Sequence, residues 1–426
     1  MKKSAFALFA VALLTSGTAA RAVICTIDQV PAATLLLPHF EVDLDDLWGV
    51  NTLFSINNAS ASAVLAHVVL WSDLSVPTFD FNIYLTGYDI QTVSVRDIFA
   101  GTVPRTASAG QDPGDTISPK GLFSQDINFA SCSGQLPPPP VPPAFVTHLR
   151  AAHTGQFSSI LGGCAGRDLG DHIARGYITI DTVNNCTLRF PGDAGYFASG
   201  GNGDATNQNV LWGDYFFVRD RENAAEGDTL VHVEASATNP ETSTPGQYTF
   251  YGRYVSWSAA DNREPLATTF AARFVNGGTF DGGTDYTVWR DSKVDQTAFK
   301  CGTLPSWYPL GTEAIVIFDE QEHPEVQEVP PFSPPPPGDF LIPFPAEAQR
   351  VAVDSDALPT SFDFGWMDLN LNTGVVPAGP NPPEDQFAAQ AWVSVLMEAS
   401  GRFGVGFDAV QLDSACTTLH DAPSAP

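Results

Sequence analysis

The chain has 426 residues, with 20 basic and 48 acidic side chains and a formal net charge of −28. A field of that sign repels nucleic acid and anionic lipid, which argues against both as partners. Apolar content of 43%, with 29 Phe and 8 Trp, is ample for packed cores and excludes wholesale disorder.

The N-terminus reads MKKSAFALFAVALLTSGTAARAV. Lys2 and Lys3 form a basic start, Ala5 to Leu14 a short apolar run, and Ala20-Arg21-Ala22 a small-x-small cleavage site. Residues 1–22 are therefore expected to be a signal peptide. The apolar run is too short for a permanent membrane helix, and no later stretch has that length. Removing the leader leaves 17 basic residues against 48 acidic ones, a net charge of −31. The expected location is secreted, periplasmic or extracellular, with no integral membrane segment.

Residues 23–136 are dominated by strand signals and are expected to be a first β-sandwich domain. Thr34 to Leu37 is a short apolar run before Pro38. Thr52, Phe54 and Ile56 alternate with more polar neighbours, the period of a half-buried strand. Asn57-Asn58-Ala59-Ser60 supplies turn residues. Val64 to Trp71 is almost wholly apolar, as in a strand covered on both faces. Phe79 to Leu85 and Gln91 to Arg96 complete the set, with a turn at Thr86-Gly87-Tyr88-Asp89. The tract 137–143, PPPPVPP, reads as a stiff linker and a boundary.

A middle segment, 144–255, opens with a helix predicted over Ala144 to His153. Strands follow at Tyr177 to Ile180, Tyr215 to Val218 and Leu230 to Val233. A second sandwich domain is expected over 256–426, with a proline-rich loop at 329–338. Its strands include Arg350 to Val353, Phe362 to Trp366 and Ala391 to Leu396.

Six cysteines remain after the leader: Cys25, Cys132, Cys164, Cys186, Cys301 and Cys416. The count is even and the compartment oxidising, so disulfides are expected. No CxxC pair points to zinc or to a redox site. Sequential pairing keeps each bridge within one segment, which predicts Cys25–Cys132, Cys164–Cys186 and Cys301–Cys416.

A possible internal repeat runs through the chain. Asn58, Trp71 and Asp73 fall without gaps on Asn276, Trp289 and Asp291. Thr52, Phe54 and Ile56 fall on Phe270, Ala272 and Phe274. One hairpin used twice is the expectation, with Trp71 and Trp289 in equivalent buried places. Hairpins with Asn turns, followed by Thr-Gly-Tyr-Asp-Ile-Gln-Thr-Val-Ser-Val, resemble the immunoglobulin-like β-sandwich modules of secreted bacterial proteins. The resemblance covers residues 31–100 and 265–320 and implies architecture, not activity. The fold class expected is mostly β, two immunoglobulin-like sandwich domains with a smaller mixed middle segment.

Candidate chemistry is sparse. Gly162-Gly163-Cys164-Ala165-Gly166 has the spacing of a nucleophile elbow, yet a half-cystine in a glycine loop fits the compartment better. His148 and His153 are five apart, which is wrong for two ligands on one helix face, and they and His172 read as surface or capping residues. His67, inside an apolar strand, reads as a hydrogen-bonded core histidine. Calcium is the cofactor the acidic loops suggest, since hard cations need several oxygens. Asn202, Asp204 and Asn207 in a glycine-rich loop are the metal candidates, beside Asp43, Asp45 and Asp46, and Asp281 and Asp285. Trp212, Trp257, Trp307 and Trp366 could stack on sugars. The function expected is a secreted, non-catalytic structural or adhesive protein of the envelope or exterior, with a surface glycan or envelope protein as partner. The alternative is a polysaccharide-acting hydrolase or carbohydrate-binding protein.

Overall fold

The computed structural model describes residues 27, 29–104, 130–132, 135–136, 138–236, 249–255, 260–293, 295–303, 305–308, 310, 314–327, 344–372 and 389–414. Strands β1 (Thr34–Asp43), β2 (Val50–Asn58), β3 (Val64–Ser72), β4 (Pro77–Leu85) and β5 (Ile90–Ser94) come first. Helices α1 (Val95–Phe99) and α2 (Pro143–His153) follow, then β6 (Ile173–Val183), β7 (Leu211–Trp212), β8 (Asp214–Arg219), β9 (Ala224–Thr229) and β10 (Val231–Val233). The remaining strands are β11 (Ala267–Val275), β12 (Gly283–Arg290), β13 (Ile315–Phe318), β14 (Pro324–Gln327), β15 (Ala348–Ala352), β16 (Phe364–Asn370), β17 (Ala391–Ala399), β18 (Phe403–Asp408) and β19 (Val410–Ser414).

The protein is mostly β, built from antiparallel sheets. The first sheet runs β10-β1-β6-β3-β4. The second runs β5-β2-β8-β9, with β7 also on β2. The third has nine strands, β14-β13-β16-β11-β17-β12-β15, with β18 on β17 and β19 on β11. A first core lies between sheets one and two, where Phe54 and Ile56 of β2 meet Val68 and Leu70 of β3 and Ile178 and Ile180 of β6. A second core fills the third sheet around Phe270, Tyr286, Ile315 and Met367. A third, aromatic core joins the two regions through Trp71, Tyr177, Trp289 and Trp392.

The central strands serve two cores at once. All nine residues of β3 are buried. Val68 and Leu70 face the first core while Val69 and Trp71 face the third, as alternation of side chains across a strand requires. β1 does not stop at Pro38. It continues to Asp43 by shifting register against β6 between Leu37 and Phe40, which removes the proline from the ladder.

Three expectations need correction. The run from Thr52 to Asp73 is not a hairpin, because β2 pairs with β5, β7 and β8 while β3 pairs with β4 and β6. The polar turn carries the chain across the core to the other sheet. Asn58 pins it, donating from Nδ2 to the carbonyls of Ser62 and Thr86 and accepting from Ser60 N. β11 and β12 likewise pair with other strands and not along each other. There Asn276 accepts from Thr284 N.

The strand expected through Arg96 ends at Ser94. Its side chain accepts from Asp97 N and caps α1, satisfying one of the free N–H groups of a helix start.

Among the described residues the disulfides are Cys132–Cys186 and Cys164–Cys301, so none of the three sequential pairings stands. Sequence proximity misled because β3 and β6 bring distant segments together. Cys25 and Cys416 lie outside the described residues.

The proline tract packs against the body. Strands on either side of it share sheets, as β3 with β6 and β2 with β8, so the tract does not separate two sheets. Proline offers no N–H to a strand edge. Val141 carries the tract's one backbone N–H, and donates it to Gly101 O at 3.0 Å while its side chain enters the first core. Pro142 and Pro143 then start α2, where a fixed φ suits the first turn. Gly155, at φ +71°, ends that passage, and a Cβ there would sit 2.2 Å from Asp168 N.

Candidate functional site

β4 is the edge strand of the first sheet, and the proline tract lies beside it without forming a ladder. The result is a groove of about 380 Å³ between Phe79–Asn82 of β4, Pro138–Pro142 and Phe145 of α2. Phe79 touches both Phe81 and Phe145, with ring centroids 5.7 and 5.6 Å apart. Asp80 lies in this groove. Its Oδ2 is buried without a hydrogen-bond partner. Burial, reinforced by the Asp193 carboxylate, raises its pKa to about 7. The neighbouring amides are occupied, since Asn82 Nδ2 donates to Thr187 O at 2.8 Å and to Gln135 Oε1 at 3.2 Å. Sequence reading missed Asp80. The one signal was a carboxylate between two phenylalanines, which an alternating strand turns to solvent by default.

A second, polar cleft of about 370 Å³ lies between α2 and the loop at 168–172. Asp45 and His172 meet there, Oδ2 to Nδ1 at 2.7 Å, both exposed. His172 sits at φ +57°, an uncommon conformation for a residue with a side chain. Asp168, Arg150 and Gln156 line the same cleft.

The three sheets meet across buried charges. Glu41 of β1 accepts from Arg175 at 3.3 Å, while Arg350 of β15 reaches Asp285 at 2.5 Å and Glu398 at 2.9 Å. Arg219 of β8 pairs with Glu398 of β17 and lies 3.5 Å from Glu226 of β9. Arg253 pairs with Glu347 and, at 3.3 Å, with Asp291. Asp181 accepts from Tyr196 and Tyr251 hydroxyls at 2.8 and 3.0 Å, with Arg263 at 3.6 Å.

Burial raises several of these acids: Glu226 to about 8, Asp285 and Asp291 to about 6. Burial raises Asp228 and Asp408 too, Asp408 to about 7. Burial would also raise Glu41, but His39 and Arg175 overcome it and hold the group at about 2.

The expected metal residues are engaged elsewhere. Asp204 accepts from Thr187 Oγ1 at 2.7 Å and Arg189 at 3.0 Å. Asn207 Oδ1 accepts from Arg263 at 3.3 Å, and Asn202 Nδ2 donates to Ser199 O. Asp43 accepts the amides of Asp45 and Asp46, whose own carboxylates take His172 and Arg221. Asp281 pairs with Arg402, and Asp285 with Arg350. Among the described residues, no three His, Cys, Asp or Glu side chains gather as a metal group.

His148 and His153 are buried, not surface residues, because α2 packs on the sheet edge. His148 bonds Ser158 Oγ and Thr78 O, and His153 bonds Thr78 Oγ1 and Arg175 O. Burial lowers both, His153 to about 4. His67 is fully buried and bonds Asn82 Oδ1 at 3.1 Å. Cys164 is a half-cystine, as its glycine loop suggested. Trp307 is buried, whereas Trp212 and Trp366 are 43% and 38% exposed, Trp366 stacked on Phe318. Trp257 lies outside the described residues. No helix among those residues is long and apolar enough to cross a membrane. No family model, no curated protein and no solved structure matches the chain.

Proposed function

We propose that the chain is an exported, non-catalytic structural or adhesive protein of the cell envelope or exterior. The observation that carries this reading is the way its sheets are locked together. Arg219–Glu398 and Arg350–Glu41 cross between sheets, and Cys164–Cys301 closes a separation of 137 residues. A disulfide of that reach resists unfolding most in an oxidising compartment. Buried pairs of this kind favour one fixed arrangement over hinge motion. Such rigidity suits a protein that bears load or holds a surface. A glycan or an envelope protein is the partner in this reading.

The finer architecture belongs to the same proposal. β2 lies between β5 and β8 as β11 lies between β16 and β19, and β3 between β4 and β6 as β12 between β15 and β17. The partners occur in the same chain order. This supports two sandwich-like domains related by duplication.

A second reading, action on polysaccharide, draws on the polar cleft with Asp45, Asp168 and His172. One experiment separates the two. Purified protein is incubated with isolated envelopes and with insoluble polysaccharides, and both bound protein and released reducing ends are measured. Binding without release is expected. Release that disappears in Asp168→Asn would overturn the proposal in favour of the hydrolase.

A further inference from the structure

The groove under the proline tract has an unusual combination of walls. One side is apolar and aromatic, from Phe79, Phe81 and Phe145, and the other is the proline tract. Asp80 lines the groove, and its buried Oδ2 has no hydrogen-bond partner among the described residues. A carboxylate left unpaired in an apolar setting costs free energy, and the cost is recovered when a cation binds. Among the described residues, no Lys, Arg or His lines the groove to serve as that cation. Asp193 adds a second negative charge nearby, and the chain as a whole is strongly acidic. Aromatic faces are themselves attractive to cations. The volume lies in the range of small-molecule sites, roughly 300–1,000 Å³.

We propose that this groove is a binding site for a small organic cation, a primary amine carried on an apolar body, with Asp80 as its counter-ion. The ammonium group meets Asp80 while the apolar body lies along Phe79 and Phe145. The proline tract forms a stiff wall that cannot zip onto β4, so the groove stays open for the ligand.

The probes are 2-phenylethylamine and its neutral counterpart 2-phenylethanol, titrated calorimetrically into the full-length protein at pH 8. The amine is expected to bind at least tenfold more tightly than the alcohol. Asp80→Asn should abolish that preference while leaving the alcohol's affinity within twofold. It should also fold, because it replaces an unpaired carboxylate with a neutral group, and its melting temperature checks this. Leu188→Arg, at an exposed rim position, should repel the amine without touching a core. Equal affinities in the unaltered protein, a preference that survives both substitutions, or binding of neither probe at millimolar concentration would each overturn the proposal.

Discussion

Tyr177 lies flat against Trp71, with ring centroids 5.7 Å apart and planes 2° from parallel, and its edge meets Trp289 at 5.9 Å. One side chain of the first sheet thus touches the tryptophans near the ends of β3 and β12. Its hydroxyl bonds Ser75 Oγ at 2.7 Å and Tyr254 at 2.8 Å. The aromatic core that joins the sheets is centred on this residue.

Tyr177→Ala should therefore be severe. Removing a large buried aromatic costs about 3–5 kcal/mol. Tyr177→Phe keeps the packing and strands the polar partners, a cost of about 1–3 kcal/mol. Urea unfolding of both variants measures the two effects. Equal losses would show that the ring itself contributes little.

The cysteines give a second test. Peptide mapping under non-reducing conditions should recover Cys132 linked to Cys186 and Cys164 linked to Cys301. Replacing Cys164 and Cys301 together by Ala should lower stability by about 5 kcal/mol, since the closed loop is long in the chain-entropy model. Replacing Cys132 and Cys186 should cost somewhat less, their separation being 54 residues. Recovery of a Cys164–Cys186 peptide would refute the pairing.

Much of the β content was legible because it depends on local pattern. Val64 to Trp71 is apolar at every position but one, His67, and such a strand has nowhere to go but between two cores. The alternation of Thr52, Phe54 and Ile56 correctly marks β2. What pattern could not supply is the partner of each strand. A polar turn after Asn58 looks the same whether it folds the chain back along one sheet or carries it to another. β9, with its sequence Ala-Ala-Glu-Gly-Asp-Thr, has no strand signal and is held by β8. Nor could sequence reveal that Arg350 would meet Asp285 and Glu398, because charge pairing over such separations is set by the fold. His148 and His153 were misplaced for the same reason: their exposure depends on where α2 docks. Asp80 was invisible because nothing in a proline run states which strand edge it will cover.

Calcium gives a third test. In the loop of Asn202, Asp204 and Asn207, the Asp204 and Asn207 oxygens that would ligate it already face Arg189 and Arg263. A cation entering there would have to displace a guanidinium. Chelator should leave the melting temperature unchanged, since a ligand that binds only the folded state would otherwise raise it. A fall on chelation, restored by added calcium, would show a metal site after all.

The last test is pH. Burial raises Glu226, Asp228, Asp285, Asp291 and Asp408 above the ordinary carboxylate range of about 4. Each holds its proton more tightly in the folded chain than in the unfolded one. Its contribution is fully present below the unfolded value and is lost as pH rises through the folded values, which run from about 6 to about 8. Glu41 has the opposite sign: held at about 2, it contributes above its unfolded value and loses that contribution only as pH falls toward 2. The buried histidines His67, His148, His153 and His232, all lowered by burial, oppose the raised carboxyl groups only below about pH 6.5, where the histidines of the unfolded chain take up protons. Above that pH the raised carboxyl groups make rising pH destabilising, and the excess of acidic charge adds to it. The melting temperature should therefore fall steadily from pH 6.5 to pH 8.5. Asp408→Asn removes one of these raised carboxyl groups, so the slope should become shallower. A melting temperature that stays level or rises over that interval would show that these carboxyl groups are ionised without penalty.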